Sequence, residues 1–360
     1  MNTNILINKI HARLEDYNRY YYSPYFDVSF RFEQQFFAAK LLSVLRISDF
    51  RILFKVALPL MEELLNEPKY ETFHIPKKRE GVRLIQAPEP VLMKMQSRLN
   101  FYLQNYYHMI APKGVHGFVI NPNKKEKLCN IVENAKIHVQ QKQVLNLDLK
   151  DFFPSIKAYR VKELFLSEHC RYNEKIATAL ALLVTYEGKL PTGAPTSPVI
   201  SNFICLQLDA DLIDFCNENQ INFSRYADDL TFSSNKEITK EMISNIYEII
   251  KQNNFDVNTK KTRLKSDNRK QTVTGLVVNE KVNVDRKMLK MVRAMLHDAM
   301  QNGISKAAKK HFANRTEISD KNDAYFLSRL EGYINFIVQV RGIEDALALK
   351  FKSDFKNLKA

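Results

Sequence analysis

The sequence has 360 residues and carries 54 Lys and Arg against 40 Asp and Glu, so its formal net charge is +14. A chain this basic favours a polyanionic partner. Its 45% of apolar residues exclude a disordered or fibrous protein. The longest uncharged apolar run, residues 176–186, is only about half as long as a membrane span, and the N-terminus lacks a secretory apolar segment. We therefore expect a cytoplasmic protein without a membrane partner.

Motifs that bind metals or nucleotides through Cys or Gly are missing from the sequence. The four cysteines form no CxxC pair, which argues against a zinc module and against a disulfide framework. Only nine glycines occur, and neither GxGxxG nor GxxxxGK[ST] is present. If the protein handles nucleotides, it must hold them in another way.

The N-terminal hundred residues are predicted to be mainly helical. Apolar residues recur there at three- and four-residue intervals, at Phe36, Leu41 and Leu45 and again from 52 to 65. An aromatic cluster precedes them, which we interpret as packing under a loop, while stacking on bases stays open as an alternative. The cluster consists of Tyr17, Tyr20, Tyr21, Tyr22, Tyr25 and Phe26.

A β-hairpin is predicted over residues 71–87, because apolar and polar side chains alternate on both sides of a turn that contains Gly81. Arg83 lies on its returning strand, and a helix is predicted over 91–107. The tip of the hairpin is basic, with Lys77, Lys78 and Arg79.

Strands alternate with helices in the middle of the chain. A β-type run over 143–149 has Asp148 near its end. Two further strands, 221–226 and 230–233, flank a short turn that carries carboxylates, which indicates a hairpin. Together with helices at both ends of the chain, this pattern predicts an α+β fold.

The carboxylates of that turn are the main candidate for a functional site. Asp228 and Asp229 are adjacent, and like charges this close raise each other's pKa unless a positive charge lies between them. Mg²⁺ suits such a site, because it binds through one or two carboxylates and completes its shell with water and substrate phosphates. Asp148 could supply a third carboxylate. By itself, an Asp-Asp pair is more often a solvated turn.

Three sequence blocks favour a metal site over a solvated turn. Residues 226–229 read Tyr-Ala-Asp-Asp, residues 146–153 read Asn-Leu-Asp-Leu-Lys-Asp-Phe-Phe, and residues 190–198 read Leu-Pro-Thr-Gly-Ala-Pro-Thr-Ser-Pro, followed by Ser201 and Asn202. The first block resembles the YxDD signature of reverse transcriptases, the second their first aspartate motif, and the third the motif that lines the nucleotide pocket. The resemblance covers roughly residues 70–300, with the expected order and spacing.

The resemblance implies an α+β right-hand polymerase fold with fingers, a palm whose antiparallel sheet is flanked by helices, and a helical thumb. We expect N-terminal helices and fingers over 1–140, the palm over 141–280 with part of the fingers at about 160–190, and the thumb over 281–360. The implied activity is RNA-directed DNA polymerisation from dNTPs.

The resemblance also implies roles for single residues. Asp148 and Asp228 would coordinate two Mg²⁺ ions, for which Mn²⁺ can substitute, with Asp229 in a supporting role near the primer end. Phe153 matches the aromatic gate that leaves no room for a 2′-hydroxyl, since rejecting an added oxygen requires a rigid wall. The alternative is that Phe152 or Phe153 is simply a core residue.

Contacts to the incoming nucleotide are implied at further positions. Arg83 corresponds to the residue that grips the triphosphate, for which a planar guanidinium is suited. Lys77 or Lys78 would assist, although the tip lysines could equally form a solvated turn. Thr192 and Gly193 lie in the nucleotide-pocket motif, where relatives commonly carry Gln in place of Thr192.

Residues 258–262 resemble the fourth palm motif of the same family. A lysine of that motif is assigned to protonating the departing pyrophosphate. Of the two adjacent candidates in this sequence we choose Lys261.

Two short elements resemble those of retron reverse transcriptases. Residues 134–138 match their NAxxH element through Asn134 and His138. The second element, VTG, is matched by Val273, Thr274 and Gly275. In that group both elements are associated with recognising the cognate structured RNA, in which a guanosine 2′-hydroxyl is the primer. A chance match of either element alone stays open.

Basic charge is concentrated near these elements. Residues 258–293 contain eleven Lys or Arg against three acidic residues, so 11 − 3 = +8 of the net +14 lies in this segment. Met288, Met291 and Met295 form the apolar side of a predicted helix. We expect its other side to track nucleic-acid phosphates as part of the thumb. The basic residues of this helix are Arg286, Lys287, Lys290 and Arg293.

The sequence thus predicts the reverse transcriptase of a bacterial retron, which copies part of a partner non-coding RNA into RNA-linked single-stranded DNA. The expected partners are the structured RNA as template and primer, the RNA–DNA hybrid, dNTPs, and an effector or toxin protein in anti-phage defence. Two alternatives stay open: another bacterial reverse transcriptase of defence-associated or group II intron type, and an RNA-binding scaffold with an inactive polymerase site.

Overall fold

The computed structural model describes residues 34–77, 81–120, 129–312 and 322–359. Within it the chain divides into two compact units. The predicted aromatic cluster at 17–26 and the tip residues Lys78 and Arg79 lie outside the described residues. The first unit contains the described part of Met1–Cys129 together with Leu147–Leu230 and Thr239–Thr262. The second unit contains Asn130–Asn146, Thr231–Ile238 and the described part of Arg263–Ala360.

The described chain begins with short helices and a β-hairpin. A long helix, α4 (Pro90–Ile110), follows with Pro90 at its first position, where the backbone N–H has no partner within the helix. These elements are α1 (Gln34–Leu42), α2 (Phe50–Phe54), α3 (Leu58–Asn66), β1 (Tyr70–Pro76), β2 (Val82–Pro88) and α4 (Pro90–Ile110).

Most predictions for this region are confirmed. Strands β1 and β2 pair antiparallel, with Tyr70 opposite Pro88 and Pro76 opposite Val82, and the helix predicted over 91–107 is α4. The helical spacing predicted from 52 to 65 is confirmed, and it falls on two helices, α2 and α3. Lys55 adopts a left-handed conformation with φ at 52°, which ends α2 and separates it from α3.

The middle of the chain contains the main sheet and its flanking helices. The helices are α5 (Ile131–Lys136), α6 (Phe152–Ser155), α7 (Ala158–Leu166), α8 (Glu174–Val184), α9 (Ser197–Ile204), α10 (Leu206–Glu218) and α11 (Lys240–Gln252). The strands are β3 (Gln143–Asp148), β4 (Asn222–Tyr226), β5 (Asp229–Ser234) and β6 (Arg263–Ser266).

These strands form a four-stranded sheet in the order β4-β5-β3-β6, in which β3 and β6 are antiparallel. The three strands predicted from the sequence are confirmed as β3, β4 and β5, with small differences at their ends. Val144, Leu145 and Leu147 of β3 are buried, which anchors the strand that carries Asp148 in the apolar interior. The predicted α+β class is confirmed.

The C-terminal part of the second unit is helical. In α12 (Arg286–Asn302), Val292, Met295 and Leu296 are buried in one apolar core together with residues of the last two helices, so the methionine side of the predicted basic helix is core. Among the described residues, no helix has the length and apolar character needed to cross a bilayer. The elements are β7 (Thr272–Val273), β8 (Leu276–Val277), α12 (Arg286–Asn302), α13 (Ile304–Phe312), α14 (Asn322–Arg341) and α15 (Ala346–Lys359).

Candidate active site

The structure brings Asp148 to the turn that carries the two adjacent aspartates. The backbone N–H of Leu149, directly after Asp148, donates to the carbonyl oxygen of Asp228 at 3.0 Å. Asp148 is the last residue of β3, whereas Asp228 lies between β4 and β5 and Asp229 is the first residue of β5. Neighbouring strands of one sheet thus place three carboxylates, distant in sequence, at one place in the first unit.

The β4–β5 turn has an unusual backbone. It consists of Ala227 and Asp228, and Ala227 has a left-handed φ of 60°. A residue other than glycine in this conformation persists only where its surroundings hold it. Here the guanidinium of Arg225 donates to the carbonyl oxygen of Ala227 at 3.2 Å. The turn is therefore fixed from inside the protein.

Asp148 has two side-chain partners in the first unit. The ammonium of Lys261 donates to Asp148 Oδ1 at 2.7 Å, and the amide of Asn258 donates to Oδ2 at 3.3 Å. The backbone N–H of Asn258 also donates to the Asp148 carbonyl at 2.8 Å. The predicted residue Lys261 therefore lies in the site, while its side chain stays 58% exposed.

The electrostatics of the turn leave negative charge in excess. Desolvation and repulsion from Asp148 raise the pKa of Asp228, while the positive charges of Lys261 and Arg83 oppose that shift. Desolvation, followed by repulsion from Asp228 and Asp148, raises the pKa of Asp229 to about 6. A bound cation would remove this repulsion.

The donor set suits a hard divalent cation. Three carboxylates offer oxygen ligands only, which Mg²⁺ prefers, and their mutual repulsion is the condition that a cation relieves. Across the described residues, no three His, Cys, Asp or Glu side chains form a ready-made metal cluster. Mg²⁺ does not require such a cage, because it takes several of its ligands from water and substrate phosphates.

The two phenylalanines after Asp151 have different environments. Phe152 is buried and its ring centroid lies 5.8 Å from that of Phe255, so it is the core residue of the pair. Phe153 is half-buried, and its ring stacks on that of Phe118 with centroids 5.8 Å apart. The predicted gate residue is therefore the one with a partly accessible ring.

The nucleotide-pocket motif lies against strand β2. The backbone N–H of Gln86 donates to the carbonyl oxygen of Thr192 at 2.7 Å. Gly193 has a φ of 127°, and a Cβ added there would lie 2.9 Å from the Ile85 side chain and 3.0 Å from the Gln86 carbonyl. Only glycine permits this approach without a shift. Thr192 and Gly193 are thus held beside the strand that carries Arg83.

The two predicted triphosphate contacts differ in position. Arg83 is exposed on β2 and is close enough to Asp228 for its charge to oppose the pKa rise there. Lys77 is exposed at the base of the hairpin tip, where its N–H donates to the Gly81 carbonyl at 2.9 Å. Arg83 therefore lies near the carboxylates, whereas Lys77 lies at the turn of the hairpin.

Sequence reasoning missed the residues that support the turn. Arg225, directly before the Tyr-Ala-Asp-Asp block, is fully buried and donates to both carboxylate oxygens of Asp209 at 2.6 Å. It also donates to Asn202 Oδ1 at 3.0 Å. Burial alone would lower the pKa of Arg225, but the Asp209 carboxylate outweighs it and raises the pKa, so the guanidinium stays charged. The available signal was a charged residue in a predicted strand whose other residues, over 221–226, carry no charge.

A second missed feature is the segment 114–120, which we call the strap. It runs along β4: Val115 forms a parallel bridge with Arg225, and the N–H of His116 donates to the Arg225 carbonyl at 2.9 Å. A Cβ on Gly117 would lie 2.1 Å from the backbone nitrogen of Ala227. The strap therefore packs directly against the carboxylate turn, and the signal in the sequence was a glycine in a glycine-poor chain.

The residues predicted for RNA recognition belong to the second unit. Helix α5 packs against the β7–β8 hairpin, and Thr274 Oγ1 donates to the Ile131 carbonyl at 3.3 Å. The structure thus brings the NAxxH and VTG elements together. Asn134 and His138 are, however, 1% and 0% exposed, and His138 Nδ1 lies 2.7 Å from Ser233 Oγ. Their side chains face the interior of this unit.

Of the residues predicted to recognise RNA, few are exposed in the VTG element, whereas those on α12 are all exposed. Val273 is buried, Thr274 is half-buried and Gly275 is exposed. On α12 the side chains opposite the methionines are all exposed, as the predicted phosphate-tracking role requires. These side chains are Arg286, Lys287, Lys290 and Arg293.

Comparison with known proteins agrees with this geometry. The reverse transcriptase (RNA-dependent DNA polymerase) family matches residues 75–278. Retron Mx65 reverse transcriptase of Myxococcus xanthus is 33% identical over 261 residues, which cover 67% of this chain and 58% of that protein. Retron Ec86 reverse transcriptase of Escherichia coli is 38% identical over 175 residues, which cover 48% of this chain and 54% of that protein. The chain thus spans little more than half the length of these curated relatives.

A solved structure of Candida albicans telomerase in complex with a fragment of telomeric RNA aligns with 82% of this chain and 64% of its own. The TM-score is 0.48 and the sequence identity 10%.

The family match covers more than half of the chain and includes the carboxylate turn, Phe153 and residues 190–198. It confirms the resemblance predicted from the Tyr-Ala-Asp-Asp block, and the right-hand polymerase fold is the fold of that family. The retron relatives confirm the similarity predicted from the NAxxH and VTG elements. The chain belongs to the reverse transcriptase family of RNA-dependent DNA polymerases.

Proposed function

We propose that the protein is the RNA-directed DNA polymerase of a bacterial retron. It copies part of a structured non-coding RNA, which is both template and primer, into single-stranded DNA that stays linked to the RNA. The observation that carries the proposal is the convergence of Asp148 with the Asp228 turn through the Leu149 hydrogen bond at 3.0 Å. The similarity to retron reverse transcriptases supports the narrower assignment. The bounds of fingers, palm and thumb given above stay predictions within this proposal.

In this proposal the carboxylates of Asp148, Asp228 and Asp229 hold two Mg²⁺ ions, for which Mn²⁺ can substitute. When bound, such ions favour the deprotonated primer hydroxyl and neutralise charge on the transferred phosphate. Lys261, paired with Asp148 at 2.7 Å, delivers a proton to the departing pyrophosphate. The excess negative charge at the turn supports the metal assignment, since it is the charge that a cation would balance.

The nucleotide is held by the residues around this turn. Arg83 pairs with phosphate oxygens of the dNTP through its planar donors, and Lys77 adds charge at the hairpin tip. Thr192 and Gly193 form the pocket beside β2. Phe153 is the wall beneath the sugar that rejects a 2′-hydroxyl. Its partly accessible ring beside the buried Phe152 supports this role.

Nucleic acid is held mainly through charge. The exposed Arg and Lys residues of α12 bind backbone phosphates of the RNA–DNA hybrid, which makes binding strongly salt-dependent. The NAxxH and VTG elements contribute to recognising the partner RNA. Because Asn134 and His138 are buried, we assign them to holding the exposed turn at Gly275 rather than to direct contact with RNA.

Primer extension with the purified protein tests the polymerase activity. We expect DNA synthesis on an RNA template with Mg²⁺ and dNTPs, and loss of synthesis in the variant Asp228→Asn. The matched control is Asp214→Asn, the same change at an exposed position on α10 of the same unit. Equal activity of Asp228→Asn and the control would refute the site, and an inert wild-type protein that still binds RNA would leave the scaffold function.

The nucleic acid that co-purifies with the protein tests the retron assignment. We expect a structured RNA joined to short DNA through a 2′,5′ linkage. Synthesis without such a linkage would indicate another bacterial reverse transcriptase. A role in anti-phage defence with an effector or toxin partner belongs to the same proposal and rests on the family resemblance alone.

A further inference from the structure

Phe118 of the strap is the aromatic residue that backs the proposed gate. Its ring stacks on that of Phe153 with centroids 5.8 Å apart and an interplanar angle of 29°. Phe152 contacts Phe153 from within the core, with centroids 5.5 Å apart. The gate ring therefore has a buried phenylalanine and a half-buried one as neighbours, and of these two only Phe118 comes from outside the motif that contains the gate.

The backbone at Phe118 is held in a conformation that aims this ring. Phe118 has a left-handed φ of 59°, which a bulky residue adopts only where the surroundings hold it. The buried side chain of Gln104 accepts from the N–H of Ile120 at 3.3 Å and donates to the Phe118 carbonyl at 2.9 Å. The strap is thus fixed on the C-terminal side of the ring.

The other side of the strap is fixed to the carboxylate turn. Asn202 donates to the Gly117 carbonyl at 3.0 Å and accepts from Arg225, which in turn donates to Ala227. Gly117 has no room for a side chain against Ala227. Phe118 is therefore placed by the same hydrogen bonds that place the turn, so the gate and the carboxylates share one support.

We propose that Phe118 is a positioning residue for sugar selection: it presses on Phe153 and keeps that ring rigid against a ribonucleotide. The inference rests on the proposed polymerase function and on the gate role of Phe153 within it. A wall that yields can admit an extra hydroxyl, so the ratio of dNTP to rNTP use depends on what lies behind the wall.

The test is the ratio of kcat/KM for a dNTP to kcat/KM for the matching rNTP in single-nucleotide primer extension. We expect Phe118→Leu to lower this ratio by roughly two- to tenfold, the range of one lost aromatic pair. Leu is chosen because it carries no branch at Cβ and tolerates the backbone no worse than Phe does. Phe118→Tyr keeps the ring and should keep the ratio.

Controls separate the inference from the function on which it rests. Phe153→Ala should relax selection strongly, and adding Phe118→Leu to it should change the ratio little further, since Phe118 acts through Phe153. Phe215→Leu alters a half-buried phenylalanine on α10 of the same unit and should leave the ratio unchanged. Thermal melts of each variant establish that the compared proteins are folded.

Each contrary result has one meaning. If Phe153→Ala relaxes selection and Phe118→Leu does not, the inference is wrong and the proposed function stands. If DNA synthesis continues but Phe153→Ala keeps full selection, both the gate and its support are wrong. If Phe118→Leu melts far below the wild type, the Phe118→Tyr variant decides, because a ratio that falls although the ring is kept would overturn the role of the ring.

Discussion

Two groups of carboxylates in the first unit differ in what balances their charge. Asp209 is fully buried, which raises its pKa, yet the guanidinium of Arg225 opposes that rise by donating to both of its oxygens at 2.6 Å. Asp228 and Asp229 are less buried, yet desolvation and the added repulsion from Asp148 raise their pKa values, and the charge of Lys261 opposes that rise only in part. Counter-charge, more than burial, therefore distinguishes a structural carboxylate from one kept ready for a cation.

The turn carboxylates, whose charge is not fully balanced, should show the largest loss of activity on mutation. Asp228→Asn should lower the rate of primer extension on the order of a thousandfold or more, as loss of a preorganised charge at a reaction centre does. Its melting temperature should be equal to or above that of the wild type, because the change removes repulsion with Asp148. A melting temperature well below that of Asp214→Asn would show that the turn carboxylate is structural after all.

Asp209, whose charge is balanced by Arg225, should respond through stability: its mutation should destabilise the protein. Asp209→Asn leaves the Arg225 guanidinium buried without a counter-charge, and we expect a loss of about 3–5 kcal/mol in the free energy of unfolding. Urea denaturation measures it. The double variant Asp209→Leu with Arg225→Met removes both charges and should recover part of that loss. A single variant as stable as the wild type would remove the distinction between the two groups.

Lys261 is a positive charge next to the turn carboxylates, since it pairs with Asp148. Lys261→Met should slow primer extension about a hundredfold through loss of the proton donor. Since the lysine is 58% exposed, the ion pair with Asp148 should contribute less than about 1 kcal/mol to the free energy of unfolding. Single-turnover rates and urea denaturation on one preparation test both halves, and a variant that turns over at the wild-type rate contradicts the proton-donor role.

Gly117 tests whether the support of the turn matters for chemistry. Gly117→Ala places a Cβ within 2.1 Å of the Ala227 nitrogen, so the strap or the turn must move. A displacement of about 1 Å at reacting groups can slow the reaction up to about a hundredfold. The control is Gly188→Ala, where a Cβ would meet nothing within 4 Å although φ is positive, at 72°. Equal rates for the two variants would separate the strap from the chemistry.

Asp345 of the second unit, whose charge is balanced by Arg341, should show the smallest effect of mutation. Hydrogen bonds from Arg341 lower the pKa of Asp345 to about 2 from its usual value of 3.8. The stability this contributes is present above pH 3.8 and is lost as the pH falls toward 2. Asp345→Asn should therefore cost about 1 kcal/mol near neutral pH, since solvent screens part of the interaction, and the difference should shrink over that acid range. A difference independent of pH would point to packing instead.

Much of the site could be predicted because its parts are local in sequence. The hairpins of β1–β2 and β4–β5 follow from alternation around short turns, and Asp148 and Lys261 follow from motifs of a few residues. The supports could not be predicted in the same way. The pairing of Arg225 with Asp209 depends on how α10 packs beside β4. Phe118 meets Phe153 through a backbone conformation that no spacing rule gives.

Two further predictions show where local reasoning stopped short. The apolar spacing over 52–65 is helical, but the left-handed Lys55 interrupts it, which spacing alone does not reveal. The NAxxH and VTG elements were found as motifs, but their burial could not be read from them. Asn134 and His138 are polar, and polar residues are usually taken as exposed unless a fold provides partners, as Ser233 does for His138.

Under the proposed function, the burial of the NAxxH side chains determines how the choice of partner RNA could be altered. If the exposed turn at Gly275 is shaped by interior contacts from α5, exchanging single surface residues between relatives would not transfer the shape of the turn. A graft intended to redirect the enzyme to another RNA should therefore exchange residues 130–138 and 271–278 together, so that the buried supporting residues are transferred with the exposed turn.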